Sequence, residues 1–108
     1  MEAARILLNN KNFRHALFFT HLAIEKVLKA HVTRHTREAP PTIHNLTRLA
    51  EKAALPLEPM RRDFLLAFDA YQLEGRYPDM VPQPIDRNEA HEEFGKAEKV
   101  HQWLISLL

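Results

Sequence analysis

A chain of 108 residues with 45% hydrophobic content, 27% charged residues and a formal net charge of +1 has the size of one domain, spanning 1–108, and at this length roughly 60–70% of the unfolded surface can be buried without disulfides or metal. It holds no Cys and only two Gly, Gly75 and Gly95, which excludes disulfide frameworks, thiolate chemistry, Cys-based zinc sites and the Gly-rich phosphate loops of Rossmann and P-loop proteins. No apolar run approaches the roughly 18 residues of a membrane span and the first ten residues lack the long apolar stretch of a secretory signal, so a cytoplasmic protein with no membrane partner is expected.

Seven prolines, at 40, 41, 56, 59, 78, 82 and 84, divide the chain into helical stretches with no strand-like alternation between them. Met1 to about Asn9 reads as a short apolar-rich helix that breaks at Asn9-Asn10, whose amides favour turns and caps. The segment from about Asn12 to His35 is the longest predicted helix: Ala16, Thr20, Ala23, Ile24, Val27, Leu28 and His31 recur at three- and four-residue steps. Phe13, Leu17, Phe18 and Leu22 lie off that stripe. Two apolar faces on one helix imply burial between several helices or an interface with another chain, and on the second ground a homodimer is expected. After Pro40-Pro41, Thr42 is the candidate N-cap of a helix that carries Ile43, Leu46, Leu49, Ala50 and Ala53 and stops before Pro56. Pro59 suits the first turn of the next helix, in which Met60, Phe64, Ala67, Phe68 and Tyr71 form the apolar side and Gly75 is the stop. Residues 76–85 have no helical period and read as an ordered loop. Asp86 with Glu89 then starts a last helix whose seam runs through Ala90, Phe94, Ala97, His101, Leu104 and Leu108, widened by Val100, Trp103 and Leu107. The expectation is an all-α fold, an antiparallel up-and-down four-helix bundle with a short extra N-terminal helix.

Within the long helix, Phe18-Phe19-Thr20-His21-Leu22-Ala23-Ile24-Glu25-Lys26-Val27-Leu28-Lys29-Ala30 resembles the second helix of the HEPN family (higher eukaryotes and prokaryotes nucleotide-binding domain), an apolar stretch followed by A-x-E-K-x-L-K-A. Pro41-Thr42-Ile43-His44-Asn45-Leu46 looks like that family's P-x-x-H-x-L, Arg76-Tyr77-Pro78-Asp79 like its R-Y-P loop, and Ala97 to Leu104 like its amphipathic final helix. The pieces follow in the family's order along the whole chain. What the resemblance implies is a helical bundle, commonly dimeric, acting as a nucleotide- or RNA-related binding module beside a separate minimal nucleotidyltransferase. Some relatives are ribonuclease toxins of toxin-antitoxin pairs.

The active ribonucleases of that family carry Arg-x4–6-His, in which Arg stabilises phosphate charge and His moves a proton. Arg-x4-His is absent here. Two x6 spacings occur, Arg14 to His21 and Arg37 to His44, about as many as chance supplies. The second crosses Pro40-Pro41, so Arg14 and His21 are left as the catalytic candidates, and an intrinsic ribonuclease is not the expected activity.

Charge is unevenly distributed: residues 1–37 hold seven cations and two anions, a sum of +5, whereas the remainder holds eight and twelve, a sum of −4. A basic segment of this kind suits phosphate or an acidic partner as well as it suits plain solvation. The binding candidates are therefore Lys26 and Lys29, His44, and the proline-oriented Arg76 and Tyr77, as phosphate binder and stacking platform. The same residues have ordinary structural uses: Glu25 with Lys29 is a favourable i, i+4 surface pair and His44 can cap a loop. His31 and His35 share a face at metal-compatible spacing but lack a third ligand, and His101 reads as a core histidine, so no metal and no cofactor is expected.

Overall fold

The structure, a computed structural model, describes residues 1–76 and 85–108, with side chains described through residue 72 and again from 85. Five helices follow in chain order: α1 (Glu2–Asn9), α2 (Phe13–Thr36), α3 (Leu46–Lys52), α4 (Pro59–Arg76) and α5 (Arg87–Ser106). Among the described residues there is no strand. The chain is all-α, with the four expected helices and the short leading one. No helix of the described residues is long and apolar enough to cross a membrane.

The 24-residue α2 is the axis on which all the other helices pack, and α3 also rests on α4. Its two apolar faces are explained by that position. Ala16, Leu17, Ile24, Leu28 and Val32 are buried on one chain's own core, and the sheath around them consists of Ala4 and Leu8 from α1, Leu46, Leu49 and Ala50 from α3, Leu65 and Phe68 from α4, and Ala90, Phe94, Ala97 and Leu104 from α5. Leu17 is therefore enclosed without a second chain, while Phe13, Phe18 and Leu22 are half-buried.

Local chemistry sets the helix ends. The turn between α1 and α2 runs through Lys11 at φ 64°, with the Asn12 amide donating to Leu7 O at 2.9 Å, which folds α1 back along α2. The start of α3 differs from expectation: Asn45, not Thr42, is the N-cap, its side chain accepting from the Arg48 amide at 2.9 Å. Residues 42–44 stay outside the helix because the Leu46 amide is held by Asp69 Oδ1 at 3.1 Å, which fixes the first turn at Leu46. Asp86 caps α5 as expected, accepting from the Glu89 amide at 2.8 Å. On α4 the apolar side is shifted by part of a turn. Leu65 joins Phe68 in the core, while Met60 is 82% exposed and Ala67 faces out. The α5 seam passes through Val100 where His101 was expected, and Leu107 and Leu108 are exposed; the ring tying α5 to the core is instead His31 of α2, whose Nε2 donates to Leu104 O at 2.7 Å. That carbonyl belongs to the last turn of α5 and also accepts from the Leu107 amide at 3.2 Å. Away from the core, Arg61 lies 3.9 Å over the Trp103 ring, joining α4 to α5, and Arg5 of α1 pairs with Glu98 and lies over Phe94.

Candidate functional site

On α2, His21, Glu25 and Lys29 are spaced at i, i+4 and i+8, which aligns them on one face. Ordinary surface chemistry would leave such a row in solvent. Here α3, α4 and the 38–45 segment close over it. His21 is 0% exposed and Glu25 nearly so, and burial of this kind demands partners.

Those partners divide the row into two parts. At the inner end the His21 Nε2 lies 3.0 Å from Asp69 Oδ1 on α4. A carboxylate only accepts, so Nε2 is the donor. The same oxygen receives the Leu46 amide, and Phe68 stacks nearly parallel to the imidazole, at 7° and 6.3 Å between centroids. His21 Nδ1 and Asp69 Oδ2 are buried without hydrogen-bond partners among the described residues. Nδ1 faces Glu25 Oε1 at 3.9 Å.

At the outer end Glu25 accepts from Lys29 Nζ at 3.2 Å and from His44 Nδ1, which lies 3.2 Å from each carboxylate oxygen. The His44 side chain is 34% exposed. With Nδ1 committed to Glu25, its Nε2 is the ring atom left for other chemistry. His44 lines a groove of about 710 Å³ between α1, α2 and the proline segment, together with Lys26, Lys29, Phe19, Pro40 and Pro41. Ala4, Leu22 and Ala23 supply its apolar floor. That volume is in the range of small-molecule sites, which combine apolar walls with a few convergent polar groups.

A family model for the HEPN domain matches residues 1–107. The chain belongs to the HEPN family. No curated protein and no solved structure matches it. HEPN membership makes the chain a nucleotide- or RNA-related module.

Within this HEPN domain three of the residues proposed for binding from sequence, Lys26, Lys29 and His44, meet at one groove although they come from two separate segments. Arg14 and His21 share a helix, but His21 is sealed in the core by Asp69 and Phe68 and does not line that groove. The Arg76 side chain and the whole of Tyr77 lie outside the described residues. Among the described residues no group of three His, Asp or Glu is placed to hold a metal ion; His31 is engaged with Leu104 and His35 is exposed.

Two site residues were missed by sequence reasoning. Glu25 was read as half of a surface pair, and it is the buried hub of the outer cluster. The signal for it was the row of His21, Glu25 and Lys29 set beside buried Thr20, Ile24 and Leu28. Asp69 carried no local signal, because its role depends on α4 lying across the start of α3.

Proposed function

We propose that this HEPN domain is a binding and interaction module of the cytoplasm that takes a nucleotide or RNA in the groove between α1, α2 and the 40–44 segment, and that it works beside a minimal nucleotidyltransferase as one half of a homodimeric assembly. The observation that carries the reading is the convergence of Lys26, Lys29 and His44 on a groove with an apolar floor and an exposed phenyl ring. Two ammonium groups and an imidazole suit phosphate oxygens, and Phe19 with the prolines offers flat apolar surface to a base or ribose. Glu25 offsets one of the two ammonium charges, which leaves the groove with a net positive charge, and it orients the imidazole.

The test is equilibrium binding of fluorescently labelled ATP to the purified chain. Saturable binding that weakens with salt, and that is weakened in Lys26→Glu and, about tenfold, in His44→Ala while far-UV circular dichroism is unchanged, is the expected result. Absence of saturable binding both of ATP and of a single-stranded RNA overturns the reading. Catalysis has no part in it. RNA cleavage by the purified chain that disappears in His44→Ala would replace it with that of a ribonuclease toxin. Co-elution with a co-expressed minimal nucleotidyltransferase tests the partner, and sedimentation at tens of micromolar, with Phe18→Glu as the disrupting variant, tests the homodimer.

A further inference from the structure

We propose that the outward face of α2 is a track for single-stranded RNA, with phosphates running along Lys26, Arg34 and Arg37 and a leading base resting on Phe19 at the mouth of the groove. This inference rests on the nucleotide or RNA reading above and names the ligand within it as a strand, not a mononucleotide.

At 3.6 residues per turn, Phe19, Ala23, Lys26, Ala30, Arg34 and Arg37 fall within a sector of about 80° on α2 and its C-cap, over a length of about 27 Å. All are exposed except Ala23, which is half-buried. The stripe contains no carboxylate. Glu25, the one acid of α2, is turned to the core, and none of Lys26, Arg34 and Arg37 is in an ion pair among the described residues. Glu38, the next acid in the chain, follows the turn made at Arg37, whose φ is 60°. Cations on other exposed faces are neutralised locally: Arg61 and Arg62 of α4 pair with Glu58, just before that helix, and with Glu51 of α3, and Lys96 pairs with Glu92 and Glu93 on α5. A one-sign row without internal partners is the electrostatic footprint of a polyanion.

The aromatic end argues for nucleic acid over another acidic polymer. Phe19 is 42% exposed, and the Phe18 ring braces it edge-on, at 5.9 Å and 83°. Basic rows combined with an accessible ring are how single strands are held, phosphates on the cations and a base on the ring. The ring can only take a base already unstacked, so a duplex is disfavoured. A mononucleotide on Phe19 cannot reach Arg37, and Ala23 and Ala30, on either side of Lys26, let a strand lie close to the helix.

Fluorescence anisotropy with a labelled, unstructured RNA of about a dozen nucleotides tests the track, beside labelled ATP, the same RNA as a duplex, and polyglutamate as competitor. Three phosphate contacts on a single strand predict a salt slope of about −2, roughly a 20-fold loss of affinity between 50 and 200 mM salt. In Arg34→Glu/Arg37→Glu one contact remains, the slope falls to about −0.7, the loss over the same range to about 3-fold, and ATP binding is unchanged. Phe19→Ala weakens the strand about tenfold with its slope intact. Strand binding with a salt slope untouched by the double variant overturns the track and leaves the groove reading standing. Tighter binding of duplex than of single strand, or displacement of the RNA by polyglutamate at equal charge concentration, overturns it in favour of a duplex or acidic-protein surface. Absence of both RNA and ATP binding overturns both readings. All the substituted side chains are exposed, and circular dichroism confirms that the variants are folded.

Discussion

Two histidine–carboxylate pairs meet on neighbouring turns of α2, His21 with Asp69 and His44 with Glu25, and they differ mainly in what surrounds them. The first is sealed: its imidazole lies under Phe68, and its carboxylate also holds the amide that begins α3. The second opens on the groove, with one ring nitrogen engaged and the other left over. The same chemical pair serves as a fastener where the ring is fully buried and as an oriented binding group where it is partly open to solvent. The difference comes from position, since Asp69 projects from α4 into a closing core and His44 arrives on a segment that never packs fully.

Breaking the sealed pair produces the largest effect. Asp69→Ala strands two buried donors, His21 Nε2 and the Leu46 amide, and losses of this kind place the cost at about 3 kcal/mol, a fall in Tm of roughly 12–24 °C for a domain of this size. Urea denaturation followed by circular dichroism measures it. A loss below about 1 kcal/mol would mean that the sealed pair does not fasten α3 to α4.

The open pair gives the opposite result. His44→Ala is expected to cost under about 1 kcal/mol of stability, because the side chain is partly solvated and Glu25 keeps Lys29, yet it should weaken ATP or RNA binding about tenfold, near 1.4 kcal/mol. Titration calorimetry on a folded variant separates the two. If stability fell as much as in Asp69→Ala, the contrast between the pairs would collapse.

Asn45→Ala sharpens the same contrast at the join between the pairs. The loss of its acceptor for the Arg48 amide is worth about 1 kcal/mol, and since Asp69 still holds Leu46 the helix should persist. Combined with Asp69→Ala the costs should exceed their sum, because the two residues hold successive parts of one first turn.

Most of the architecture could be read from the residues because proline placement and helical period are local signals: all five helices were anticipated, α1, α2, α4 and α5 to within about two residues. What failed was what depends on a neighbour. The start of α3 was placed at Thr42 because Thr42 follows two prolines, but a contact from α4 decides for Asn45 and Leu46. Phe64, Phe68 and Tyr71 were placed on the inner side of α4, yet the choice of Leu65 over Met60 depended on the angle at which α4 meets α2. The site divides in the same way. Lys26, Lys29 and His44 carried a recognisable pattern, whereas Glu25 looked like a surface residue until the 38–45 segment covered it, and Asp69 had no pattern at all.

A half-buried histidine on α5 supplies the smallest expected effect. His101 on α5 is half-buried, and among the described residues no carboxylate pairs with it. Burial lowers its pKa below the ordinary histidine value, and the positive N-terminal ammonium adds to the shift. The native ring therefore resists a proton that the unfolded chain accepts at about pH 6.5. Its contribution to stability is complete above that pH and is lost as the pH falls toward the lowered native value, since over that window the unfolded state binds more protons. The effect is read as a difference between the wild type and a single variant. Urea midpoints taken between pH 8 and pH 5 should fall slightly more steeply for the wild type than for His101→Gln. Identical pH profiles would show that this ring exchanges its proton as freely in the folded chain as in the unfolded one.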